Sequence, residues 1–140
     1  MSLTLVKPYF VARAKAVGLK EHVDYVNEDN IPKTLVDGSF HVLLDQFSGV
    51  KLNQTDQEIN CSVELKFWIK GFRNPYDGLD RAVAKSELVL KEVLKNSNRL
   101  GQCLKNVVFN DVKYDTISKD NDNVIRVTMT FTAFTSILIT

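Results

Sequence analysis

Four side chains of this sequence belong to the types that bind metals or attack electrophiles: His22, His41, Cys61 and Cys103. A nucleophilic serine or cysteine needs a base within reach, most often histidine. Neither histidine stands in a Gly-x-Ser-x-Gly elbow or a comparable turn. His22 falls in a long polar stretch, and His41 shares a strand face with Leu43. As metal ligands the four lack the C-x-x-C or H-x-x-x-H spacing that fixes two ligands on one turn. Two cysteines are too few for a disulfide framework, so they read as small buried hydrophobes in a reduced, cytosolic chain.

The carboxylates are numerous but clustered where turns require them, in "NEDN" and "KDNDN". Asp120 to Asn123 imitates the start of a calcium loop, without the glycine and distal glutamate that such a loop needs. No glycine-rich loop leads from a strand into a helix, so no phosphate cradle is expected, and "KGFRNPYDG" is only the nearest approach. The expectation is a protein that is not an enzyme and that carries no metal or cofactor.

What remains is surface chemistry. Lys66, Lys70 and Arg73 lie near Trp68, a basic and aromatic grouping of the kind that stacks single-stranded nucleic acid, although Glu64 interrupts it. The chain has 18 basic and 17 acidic residues, so bulk charge offers no attraction to nucleic acid or anionic membrane. Strand alternation sets Trp68 on the polar face, where an indole expects a partner or a second layer. Near the C-terminus "IRVTMTFTAFT" sets Val127, Met129, Phe131 and Ala133 on one face and Arg126, Thr128, Thr130 and Thr132 on the other. A row of short hydroxyls fits either a solvated strand or a face that meets another subunit without burying charge.

These groups need a scaffold, and hydrophobic periodicity supplies its outline. A length of 140 residues suits one domain, 1–140, with a real core. No apolar run approaches a bilayer span, and the N-terminus has no signal-peptide pattern. A first helix is predicted over Leu3 to Val17, stopped by Gly18, with Val11, Ala14, Val17 and Ala12 as its apolar stripe. A long acidic loop follows to Gly38, with a short strand around Val23 to Val26. "SFHVLLDQFSG" reads as a strand, and Val50–Gln57 as a polar turn. In "EINCSVELKFWIKGF", Cys61, Val63, Leu65, Phe67 and Ile69 alternate strictly with polar neighbours, the mark of an antiparallel strand with one wet face.

The next stretch, from Asn74 to Gly101, is a helix capped by Asn74 or Asp77. Its apolar stripe is Leu79, Val83, Leu90, Val93 and Leu94, leaving Arg81, Lys85, Lys91 and Lys95 outside. Two last strands flank "KDNDN" as a hairpin. The order α-β-β-α-β-β defines one α+β domain: an antiparallel or mixed sheet of about four strands, with two main helices on its apolar face.

That order, with "NIPKTLVDGSFHVLL", the pair "INCSVELKFWIKGF" and "NPYDGLDRAVAKSELVLKEVL", and the final "VIRVTMTF" strand, resembles the tail terminator (tail completion, minor tail protein) family of long-tailed bacteriophages over nearly the whole chain. The resemblance implies a structural virion protein assembled in the host cytoplasm. It would form a ring, usually hexameric, on the head-proximal end of the tail tube, stop tube growth and present a surface for head joining. Its implied partners are itself, the tail tube protein and the head–tail connector protein, with DNA only passing through the ring. A connector or neck protein of the same virion and a single-strand nucleic-acid-binding domain are the alternatives. A ring protomer needs two unlike flanks, so that head-to-tail contacts close. On grounds of exposure, Glu64, Lys66, Trp68, Lys70, Arg73, Arg126, Thr128, Thr130 and Thr132 are expected at the protomer or tube interface, and the loops at Val50–Gln57 and Lys119–Asn123 are expected to order on the tube.

Overall fold

The structure is a computed structural model that describes residues 6–21, 37–51, 56–71, 75–96, 106–119 and 122–138. In chain order these form α1 (Val6–Ala16), β1 (Lys20–Glu21), β2 (Ser39–Lys51), β3 (Asp56–Gly71), α2 (Pro75–Asn96), β4 (Asn106–Lys119) and β5 (Asp122–Leu138). The expected strand around Val23 to Val26, Asn74 as a helix cap, and His22, Arg73 and Cys103 lie outside the described residues.

The fold class is α+β, with one mixed sheet in the order β1-β2-β3-β5-β4. Its four long strands run antiparallel. The fifth, unpredicted strand is only Lys20–Glu21, paired parallel to Ser39 and Phe40. Two polar residues carry no apolar alternation, so nothing in the sequence announced it. The polar turn expected over Val50–Gln57 is shorter than predicted, because Val50 pairs with Glu58 and Lys51 with Gln57. Backbone pairing prolongs this hairpin past the end of the apolar pattern.

β3 is central and behaves as its alternation requires. Cys61, Val63, Leu65, Phe67 and Ile69 are buried on one face. On β5, Val127, Met129, Phe131 and Ala133 meet them from the next strand. Both helices cover this face. Phe10 of α1 stands 5.3 Å from Phe131, ring centre to ring centre.

α1 ends as Gly18 predicts. Gly18 has φ +89°, its N–H donates to the Lys15 carbonyl at 3.0 Å, and the Leu19 N–H donates to Ala14 at 3.3 Å. This is the paired closure that a left-handed residue permits after a helix. The buried residues of α1 are Val6, Tyr9, Phe10 and Ala14. The predicted stripe is thus correct at Ala14, only partly buried at Val11 and Val17, and wrong at Ala12, which is exposed. Two large aromatics outweigh the alanine in choosing the face.

α2 is also rotated from expectation. It buries Gly78, Ala82, Ser86, Val89 and Val93. Leu79, Val83 and Leu94 remain exposed, while Arg81 and Lys85 are half-buried. Small residues let the helix axis approach the sheet: a Cβ on Gly78 would stand 3.0 Å from the Gly71 Cα. Lys85 reaches across to donate to the Val17 carbonyl at 2.9 Å, and Arg81 donates to the Lys70 carbonyl at 2.5 Å. Each long cation takes a backbone acceptor at an element's end, which draws the polar edge of α2 inward and leaves Leu79 and Leu94 exposed. Leu90 packs partly buried against the core, and Val93 is buried as expected.

Candidate functional site

The molecule presents two surfaces of interest, the sheet face away from the helices and the apolar flank beside β4. The outer face is built by register. Cross-strand partners Ser62–Thr132, Glu64–Thr130, Lys66–Thr128 and Trp68–Arg126 place the β3 and β5 residues side by side. Beyond them, Asp111, Lys113 and Asp115 of β4 stand opposite Thr130, Thr128 and Arg126. Lys66 pairs with Glu64 at 3.1 Å, and Arg126 with Asp115 at 3.4 Å. The Thr130 hydroxyl donates to the Asp111 carboxylate, and Thr132 accepts from the Asn110 amide at 2.9 Å. Asn110 is the extra residue of a bulge between Phe109 and Asp111, which aims its side chain along this face. The threonine row is therefore a hydrogen-bonded, half-exposed surface with charges balanced in pairs. Such pairs contribute little to stability, but they leave the face nearly neutral.

Trp68 stands on this face as alternation requires, and of the partner or second layer that its indole calls for, the structure shows the second layer. Trp68 is only 2% exposed and packs with Val124 and the partly buried Ile117 in a small second cluster. His41 lies against it, with ring centroids 5.8 Å apart and planes 26° from parallel. The Trp68 carbonyl accepts from Gly38 N–H at 2.7 Å, and the next amide, Lys70 N–H, donates to the Asp37 carboxylate at 2.9 Å. Asp37 also faces Arg81 at 3.4 Å. The turn entering β2 thus clamps the end of β3. A base-stacking platform requires an open indole face, and this one is covered. The apolar residues Val124 and Ile117, interrupting an otherwise polar pattern, were the signal that this end of the outer face is a second core.

His41 adds a titratable group to the cluster. Burial holds its pKa below the ordinary 6.5, helped by Lys66 and Lys7 and opposed by Glu64. Its Nδ1 is buried and finds no hydrogen-bond partner among the described residues. Cys61 sits in the main core with its thiol pushed up to about 11 by burial, an inert side chain. Among the described residues no group of three or more His, Cys, Asp or Glu could hold a metal ion, and no helix is long and apolar enough to cross a membrane.

The second surface was not anticipated. Val83, Glu87 and Leu90 of α2 and Phe109 and Val112 of β4 line an open groove of about 280 Å³ floored by Met129. The Ser86 and Tyr114 hydroxyls, 2.5 Å apart, close one side. Rotation of α2 opened this groove, by leaving Val83 exposed and Leu90 only partly buried beside the sheet's last strand. Leu79 and Leu94 extend the apolar line along the helix. β4 is the end strand of the sheet, and its far edge has no strand partner among the described residues. At the opposite flank β1 covers only the first two residues of β2, so the edge from His41 to Lys51 is likewise open among the described residues.

No known family's sequence profile matches this chain, and no curated protein is similar to it in sequence.

Proposed function

We propose that this protein is a ring-forming structural component of a long-tailed bacteriophage, which caps the head-proximal end of the tail tube, stops its growth and offers a surface for head joining. The observation that carries the reading is the pair of unlike flanks. Among the described residues the sheet is bounded on one side by β2, which β1 pairs with only at Ser39 and Phe40, and on the other by β4 with its apolar groove. Unlike flanks add head to tail and close into a ring when the rotation per step permits. The second support is the element order on which the resemblance to the tail terminator family rests: apart from the short β1, the chain runs helix, two strands, helix, two strands.

In this reading the near-neutral outer face, with Thr128, Thr130, Thr132, Glu64, Lys66 and Arg126, is the surface offered to the tube protein. Hydroxyl groups there exchange water for partner hydrogen bonds without stranding a charge. Trp68 acts from beneath, as the packed support of that face.

Electron microscopy of the purified protein, alone and mixed with purified tail tubes, tests the proposal. Rings with a central hole, seated at one end of each tube, are the expected result. Solid particles or featureless monomers, with tube ends unchanged, would overturn it. Rings that bind a head portal but no tube would move the protein to the connector or neck position.

A further inference from the structure

We infer that neighbouring protomers join by edge-strand pairing of β4 with the partner copy's β2, locked by Phe47 of one copy inserted into the α2–β4 groove of the next. The inference rests on the ring reading and names the contact that closes it.

Three observations point to this occupant. First, strand sense fits. β2, β3, β5 and β4 alternate in direction, so β2 beyond Phe40 and β4, whose outer edges have no strand partner among the described residues, run opposite ways. A copy placed alongside in the same orientation therefore sets its β2 antiparallel to β4, and ladder bonding continues across the joint without a change of pattern. Second, the facing side fits. Phe47 is opposite Cys61 in the register, and directly opposite residues share a face. Cys61 belongs to the helix-side core, so Phe47 projects on the helix side, where it is 47% exposed near the bare edge. In a continued sheet that side is also the side of the α2–β4 groove. Third, the chemistry fits. The groove is lined mainly by aliphatic and aromatic side chains, and its volume of about 280 Å³ exceeds the roughly 150 Å³ that accommodates a benzene ring.

Knob and hole thus lie on opposite flanks and on the same face. A two-fold β4–β4 pairing would bring hole against hole and leave Phe47 outside. Head-to-tail addition satisfies both, and addition to bare strands is a common mode of protein association.

Phe47→Glu and Val83→Glu test the contact, because both positions are 47% exposed and tolerate a charge in the folded monomer. Circular dichroism and thermal melts establish that each variant folds. Size exclusion with light scattering is expected to show a closed oligomer for the wild type and the monomer mass for each variant alone. An equimolar mixture of the two variants retains one intact knob and one intact hole, and is expected to give particles of twice the monomer mass. Rings that persist in both variants would overturn the edge contact while leaving ring formation intact. Two monomeric variants whose mixture stays monomeric would point to a two-fold contact and also overturn it. A wild type that forms no ring, alone or on tail tubes, would overturn the ring reading together with this one.

Discussion

Tyr9 joins the two helices, and replacing it with phenylalanine isolates one hydrogen bond. Its hydroxyl donates to the Val93 carbonyl at 2.5 Å, and the residue is only 3% exposed. Val93 lies in the last turn of α2, where the final four carbonyls lack an intrahelical amide to accept from. The phenol thus satisfies an orphan group that burial keeps from water. Tyr9→Phe preserves the ring, its edge contact with Phe10 at 5.3 Å and the Arg13 guanidinium 5.8 Å from its centre. The loss is the bond plus the cost of a stranded buried carbonyl, about 2 kcal/mol. For 140 residues the unfolding entropy is about 290 cal/mol/K, so the midpoint of thermal unfolding should fall by about 7 °C. The alkaline limb gives an independent check. Burial raises the Tyr9 pKa from 10.0 to about 12, with Arg13 lowering it and Glu92 raising it. Above pH 10 the unfolded chain releases this proton more readily than the folded one. The contribution is therefore full below pH 10 and is lost as pH rises through about 12. Scanning calorimetry at pH 7.5 and a denaturant series up to pH 11 should show a lower midpoint and a shallower alkaline decline in the variant. A variant that melts within 1 °C or so of wild type, with the same alkaline slope, would refute the assignment of Tyr9 as a cap.

Three further outcomes are expected. His41 has a lowered pKa, so the unfolded chain takes up its proton first, and stability should be full above the ordinary value of 6.5 and decline as pH drops below it. His41→Phe keeps a ring on Trp68 and should flatten that decline in melts between pH 7.5 and 5. Gly18→Ala forces a Cβ onto a residue at φ +89° and should cost about 1–2 kcal/mol in urea titration, whereas an unchanged midpoint would show that the turn does not need a left-handed residue. Asp37→Ala removes the acceptor of the Lys70 amide and the carboxylate beside Arg81, for about 1 kcal/mol, and should speed amide exchange near the end of β3 more than at its centre.

The sequence and the fold agree where one physical signal dominates. Five alternating apolar residues in β3, and the glycine after α1, left little competition for the local structure. The helices were harder, because an apolar stripe names candidates for burial but not the distance of approach. On α2 glycine, alanine and serine take the buried face, since close packing against β3 favours small side chains over leucine. The same rotation makes the apolar groove, so the flank invoked in protomer joining was invisible until α2 was placed. For Trp68, alternation assigns the face but does not choose between the partner and the second layer that its indole requires, and the fold supplies the second layer. Lys66, Thr128 and Thr130 fell where predicted, since register follows from the apolar positions.

Trp68 is the lone tryptophan of the chain, and its burial gives the protein a built-in optical probe. An indole sealed between Val124, Ile117 and His41 should emit at short wavelength and shift to the red only when the outer cluster opens. Because protonated imidazole quenches indole fluorescence, intensity should dim as His41 gains its proton, so one emission spectrum separates protonation from unfolding. The proposed joining surface lies on the other face of the sheet. Ring assembly should then leave the emission maximum in place, and the melting of assembled and single protomers can be compared with no added label.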